Sequence, residues 1–214
     1  MDKHAESDAV ALARALSGDQ GSLGLLLQRD RERLKRMVSL RLDQRLQGRI
    51  DPSDVIQEAQ LEAARRLQEY ADNPSMPFFL WLRLITGQKL IQLHRHHLGV
   101  KMRTAGREVS LYRRSLPEAT SAALAEKLLG RESEPDAAAI RAEQAIRLQE
   151  ALNGMDATDR EVLVLRHFEQ LSTSETATEL EITTEAAKKR HIRALVRLKE
   201  ILAQLPGGPE GLHP

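Results

Sequence analysis

Three groups of residues in this 214-residue chain could do chemistry on a charged partner. Arg83, Lys89, Arg95, Lys101 and Arg103 form a basic series, and Gln88 and Gln92 lie one helical turn apart within it. Lysine and arginine neutralise phosphates, while glutamine amides donate to and accept from base edges. A second basic group, Lys188, Lys189, Arg190 and Arg193, follows Glu185 and Ala186. The third group is acidic and polar: Asp54, Gln57 and Glu58. This is the chemistry of binding, not of bond making. No acid/base pair, nucleophile constellation or phosphate-cradling glycine loop occurs, so neither catalysis nor a cofactor is expected.

Two metal readings fail on the residues themselves. His94, His96 and His97 place two imidazoles on one helical face, but no acid or cysteine lies nearby and Arg95 sits between them. They are expected as surface residues near phosphate. Asp51, Asp54, Glu58 and Glu62 fall on a polar helical face, where solvent or a protein partner is expected rather than Mg²⁺.

The elements that must position these groups are helical almost throughout; no period-2 strand pattern is present. A first helix is expected from about Ser7 to Leu16, ended by Gly18, and a second over roughly Asp19 to Leu42. A third opens at Pro52 and runs to Tyr70, with Val55, Ala59, Ala63 and Leu67 recurring every four residues. Asn73-Pro74 marks a turn over Ala71–Met76, and a fourth helix begins near Pro77. The expectation is an all-α protein in two domains: 1–97, a linker over 98–135 with a transient helix around Ala122–Leu129, and 136–205. In the second domain helices are expected at Ala137–Leu152, Thr158–Phe168, Ser172–Leu180 and Thr184–Gln204. A disordered tail is expected over 206–214.

Charge is segregated beneath a formal net of +1. Arg83 to Arg107 holds six Lys/Arg, three His and no acid, whereas Glu118 to Glu161 holds ten acids against five bases. A local basic face, not the total, is what a phosphate backbone responds to. The chain has no cysteine, which excludes disulfides and thiolate metal sites. A polar Met1–Ser7 argues against a signal peptide, and no apolar run approaches the ~20 residues of a spanning helix. A cytoplasmic monomer with no membrane insertion is expected.

Ser172 to Arg193 has the spacing of a helix-turn-helix, with a tight turn at Glu181-Ile182 and Thr183 or Thr184 capping the second helix. With that helix in a major groove, Glu185, Ala186, Lys188 and Lys189 lie nearest base edges, and Arg190 and Arg193 reach phosphates or bases. Its other stripe, Ala187, His191, Ala194, Leu195, Leu198 and Leu202, is expected to pack. Near the first basic series, Tyr70, Phe78, Phe79 and Trp81 cluster around the Ala71–Met76 turn, although aromatics are only 3% of the chain. Aromatics supply stacking for an unpaired base. Phe78 and Trp81 are expected in the core; Phe79 and the turn, with Asn73, are the candidates for touching a base.

In order and spacing these segments resemble bacterial RNA polymerase sigma factors of the extracytoplasmic-function (ECF) group, the two-domain kind. Asp54-Val-Ile-Gln-Glu-Ala-Gln-Leu61 resembles the family's core-polymerase-binding helix, and Phe79–Ile91 its promoter-melting and −10-reading helix. Glu175–Ala194 resembles its −35-reading helix-turn-helix. The resemblance implies that Asp54, Gln57, Glu58 and Leu61 dock on core RNA polymerase. It also implies that Asn73, Phe79, Arg83, Gln88, Lys89, Gln92 and Arg95 serve the −10 region of promoter DNA. Gly87, Gln88 and Gln92 depart from the family's common Arg, Asn and Asp, and Glu181 and Glu185 from its common glycines. The polar linker and tail are candidate contacts for an anti-sigma partner. The competing expectation is a stand-alone helix-turn-helix regulator acting without polymerase.

Overall fold

The computed structural model describes residues 3–98, 119–129 and 138–204, all helix, turn or irregular, with no strand among them. Lys101, Arg103, Arg107 and the expected tail lie outside the described residues. The chain divides into two compact units, Met1–Pro117 and Glu118–Pro214.

The first unit runs α1 (Lys3–Leu16), α2 (Gln20–Arg29), α3 (Arg31–Arg41), a 3₁₀ turn (Gln44–Leu46), α4 (Pro52–Arg65), α5 (Leu67–Asp72) and α6 (Phe78–Leu98). Gly18 at φ +96° ends α1, a left-handed conformation glycine takes without strain. Asp19 then caps α2, accepting from the Gly21 and Ser22 amides at 2.9 and 3.2 Å. Asp51 caps α4 through the Ser53 amide at 2.7 Å, with Pro52 in the first turn. The core is Leu34, Met37 and Val38 of α3, Val55, Ile56, Ala59 and Ala63 of α4, and Leu80, Leu82, Ile85 and Leu90 of α6.

Two expected helices are each broken once. The second breaks at Asp30 (ψ 2°), whose buried carboxylate faces Arg29 and Arg33 at 3.1 and 3.3 Å. The third breaks at Arg66 (ψ 9°), which separates α4 from α5. In both, the apolar period carries across the break, so periodicity alone reads as one helix.

The second unit runs α7 (Ser121–Leu129), α8 (Ala138–Asn153), α9 (Ala157–Leu163), a π-turn (Val164–Phe168), α10 (Thr173–Glu179) and α11 (Thr184–Ala203). Helix α7 falls inside the stretch expected as linker. It buries Ala123, Leu124 and Ala125 and packs on α8. A capping box starts α10: the Ser172 hydroxyl accepts from the Glu175 amide at 3.1 Å, and the Glu175 carboxylate accepts from the Ser172 amide at 2.6 Å. At its other end the Ile182 amide reaches the Ala177 carbonyl at 3.0 Å and the Glu181 amide the Thr178 carbonyl at 3.3 Å. That pattern is a Schellman motif with glutamate, φ +54°, in the place glycine favours.

Candidate nucleic-acid interface

Helix α4 separates its two faces by spacing. Val55, Ile56, Ala59 and Ala63 are buried, and Asp54, Gln57, Glu58 and Leu61 are exposed on the opposite side at i, i+3, i+4 and i+7. Leu61 is 56% exposed, an apolar side chain set at the end of a polar stripe. Gln60 donates to the Leu27 carbonyl at 2.9 Å, tying α4 to α2. Glu62 pairs with Lys89 of α6 at 3.4 Å, so these two charges brace the helix pair.

The turn after α5 is built on aromatic packing. Tyr70 stacks on Trp81 (centroids 4.6 Å) and meets Phe78 edge-on at 5.7 Å. The Tyr70 hydroxyl donates to the Met76 carbonyl at 2.8 Å, closing the turn across six residues. Asn73, Pro74 and Ser75 are left exposed above this platform.

Two residues expected at the DNA are inside the unit. Phe79 is 4% exposed, with the Arg33 guanidinium 3.4 Å from its ring centre. Arg83 is 1% exposed. Both side chains thus lie in the core of the unit and not on the surface that a base or phosphate would meet. The reason is that Phe78 to Arg83 is buried without a break, so this part of α6 is enclosed on all sides. Further along, Gln88 and Lys89 are half-buried, and Gln92 and Arg95 are exposed. Gln88, Gln92 and Arg95 share one face at i, i+4 and i+7. His94 is not the surface residue expected: its Nε2 accepts from the Asp43 amide at 3.2 Å, and burial lowers its pKa. His96 and His97 are exposed.

In the second unit Thr183 caps α11, accepting from the Ala186 amide at 3.1 Å. Ala187, Ala194 and Ile201 are buried, whereas Leu195, expected to pack, is 38% exposed. Glu185, Lys188, Lys189 and Arg193 are exposed; Ala186 and Arg190 are half-buried. Glu185 and Lys188 pair at 2.8 Å. Arg193 makes a two-point contact with Asp159 of α9, Nε and Nη2 each 2.6 Å from a carboxylate oxygen. The Arg193 hydrogen bonds hold the Asp159 carboxyl below the usual carboxylate range. Arg190 adds a contact to the same carboxylate at 3.5 Å. Asp159 carries no local signal of this role, because its partner is 34 residues away. His167 and His191 place their Nε2 atoms 2.8 Å apart, which ties the π-turn to α11 as well. No helix among the described residues is long and apolar enough to cross a membrane. None of their acids and histidines gather in threes that could hold a metal ion.

Two units thus each offer an exposed polar helix face backed by an apolar core, the second on a helix-turn-helix. Residues 151–200 match the Sigma-70 region 4 family. Among solved structures, CnrH in complex with the cytosolic domain of CnrY aligns with 91% of this chain and 96% of its own, at 25% identity and a TM-score of 0.52. The ECF RNA polymerase sigma factor SigD of Mycobacterium bovis is 32% identical over 193 residues, 90% of this chain and 82% of its own. SigD of Mycobacterium tuberculosis strain H37Rv matches equally. On that extent of identity, the chain belongs to the ECF RNA polymerase sigma factors.

Proposed function

We propose that this sigma factor divides its work among three faces. The exposed stripe Asp54, Gln57, Glu58 and Leu61 docks on core RNA polymerase. Gln88, Gln92 and Arg95 of α6, with Lys89 and the Asn73 turn, engage the −10 region. The first turns of α11, with Glu185, Ala186, Lys188, Lys189, Arg190 and Arg193, read the −35 element. The protein acts in the cytoplasm, and bond formation belongs to the polymerase it directs. A regulatory protein partner is also part of the proposal, an anti-sigma factor being the expected class; the similar CnrH forms a complex with the cytosolic domain of CnrY.

The observation that carries this reading is the α4 stripe. Four residues at helical spacing are all exposed, on the side of the helix opposite the buried Val55, Ile56, Ala59 and Ala63. Leu61 closes the stripe with an exposed apolar side chain, whose burial against a protein partner would be favourable. The test is transcription in vitro by purified bacterial core polymerase on genomic fragments, with and without the chain. New start sites that depend on the chain, and disappear with Asp54→Arg/Glu58→Arg, support the assignment. Start sites that survive the double reversal would move the docking face elsewhere.

A further inference from the structure

The basic face of α11 is already occupied by carboxylates of the same chain. Of the five Lys and Arg from Lys188 to Arg197, four have a carboxylate within 4.0 Å: Lys188 has Glu185, Arg190 has Asp159 and Asp156, Arg193 has Asp159, and Arg197 has Glu200. Three of these are exposed or loosely spaced pairs, which water and salt weaken. Asp159 is different. It is 6% exposed, fixed near the start of α9 with its amide donating to the capping Asp156 carboxylate at 3.1 Å, and it grips Arg193 at two points. The Arg193 side chain meanwhile remains 60% exposed. One edge of the guanidinium is bound to the protein, and the outer N–H groups face solvent.

Resting on the reading of α11 as the −35 helix, we propose that Asp159 is a positioning and specificity-determining residue for promoter recognition. It fixes Arg193 in one orientation and acts as a resident counterion for Arg193 and Arg190, so that neither charge is free to bind phosphate indiscriminately. A guanidinium held by Nε and Nη2 has a defined direction for its remaining donors, which suits one acceptor at one position on the DNA. An unheld arginine follows any phosphate. The same carboxylate also removes favourable counterion release, because a cation already neutralised by the protein displaces little salt on binding DNA.

The test uses the full chain and a random-sequence duplex, with affinity measured across a salt series, then repeated on a promoter duplex with core polymerase. Asp159→Asn keeps the shape and removes the charge. It is expected to tighten random-duplex binding and to steepen the dependence of log affinity on log salt by about 1–2, since each freed arginine adds about 0.9. Discrimination between promoter and random duplex should fall. Asp159→Glu, which restores the charge, should return the slope towards the parent value. Thermal unfolding of each variant is followed in parallel. A merely structural role would lower the melting temperature and weaken both duplexes without steepening the slope, and that result overturns the proposal. So does an absence of random-duplex binding by Asp159→Asn at the lowest salt. Lys189→Ala separates the two layers of inference. If it weakens promoter binding while Asp159→Asn leaves the slope unchanged, the −35 reading stands and the role of Asp159 falls. If neither Lys189→Ala nor Arg193→Ala affects DNA binding, the −35 reading itself falls.

Discussion

Glu181 sits at φ +54°, where an L side chain crowds its own backbone, between the helices of the helix-turn-helix. That crowding costs roughly 1–2 kcal/mol, and glycine would remove it while adding ~0.4–1 kcal/mol of unfolded-state freedom. Glu181→Gly should therefore raise unfolding stability by about 0.5–1 kcal/mol, read as a higher urea midpoint at unchanged slope. A lower midpoint would mean that the carboxylate makes a contact worth more than the strain. The position was legible in the sequence as a departure from the resembled family, whose turn commonly has glycine where this chain has glutamate. The histidines were not: His167 and His191 are 24 residues apart, and nothing local announces that their Nε2 atoms meet at 2.8 Å. Burial lowers the pKa of both, and His191 feels His167 and Arg166 as well. A histidine with a folded pKa below its unfolded value binds more protons when unfolded, so stability is complete above about pH 6.5 and falls as acid is added. His94 in the first unit shifts in the same direction. Melting temperature should thus drop between pH 7 and pH 5. His167→Gln with His191→Asn should flatten part of that drop; an unchanged profile would assign it to other groups.

At the scale of the element, α6 shows what a sequence pattern conveys and what it hides. Its apolar residues from Phe78 to Ile85 leave almost no polar gap, the mark of a helix enclosed on all sides. An arginine inside such a run follows the run inward, and Arg83 does so, whereas the basic-series reading set it on the DNA. Arg83→Ala should cost on the order of 2–4 kcal/mol of stability, as large buried side chains do when truncated. Arg95→Ala, at an exposed position, should stay within about 0.5 kcal/mol of the parent and act on promoter binding instead. Thermal unfolding paired with promoter binding separates the two; an Arg83→Ala chain of normal stability that binds promoter poorly would restore Arg83 to the interface. The turn before α6 invites a similar comparison. Tyr70→Phe preserves the stack on Trp81 and removes the hydroxyl that donates to the Met76 carbonyl, a bond worth about 1 kcal/mol. If that bond sets the shape of the Asn73 turn, polymerase guided by the variant should open the −10 region less completely, as seen by thymine reactivity, with promoter affinity little changed. Equal opening would make the hydroxyl a contributor to stability alone.

Across the whole molecule the order of segments was the legible property: an acidic helix, an aromatic-flanked basic helix and then a helix-turn-helix specify the family better than any one motif. Less legible was how far each charged face is balanced within its own unit, since Lys89 answers Glu62 and Asp159 answers Arg193 across folds of the chain. The formal net charge is +1, which makes one variant unusually informative. Asp54→Arg/Glu58→Arg replaces two negative charges by two positive ones on an exposed face, taking the chain from +1 to +5. If that face binds DNA, directly or by its general field, the variant should simply bind DNA more tightly. If it docks on polymerase, the variant should lose core binding in the absence of any DNA while its affinity for random duplex rises. The two observables then move in opposite directions, which neither misfolding nor a loss of DNA contacts can produce. Retained core binding, measured with the purified components alone, would show that the α4 stripe is a solvated face and that polymerase is held by another surface of the chain.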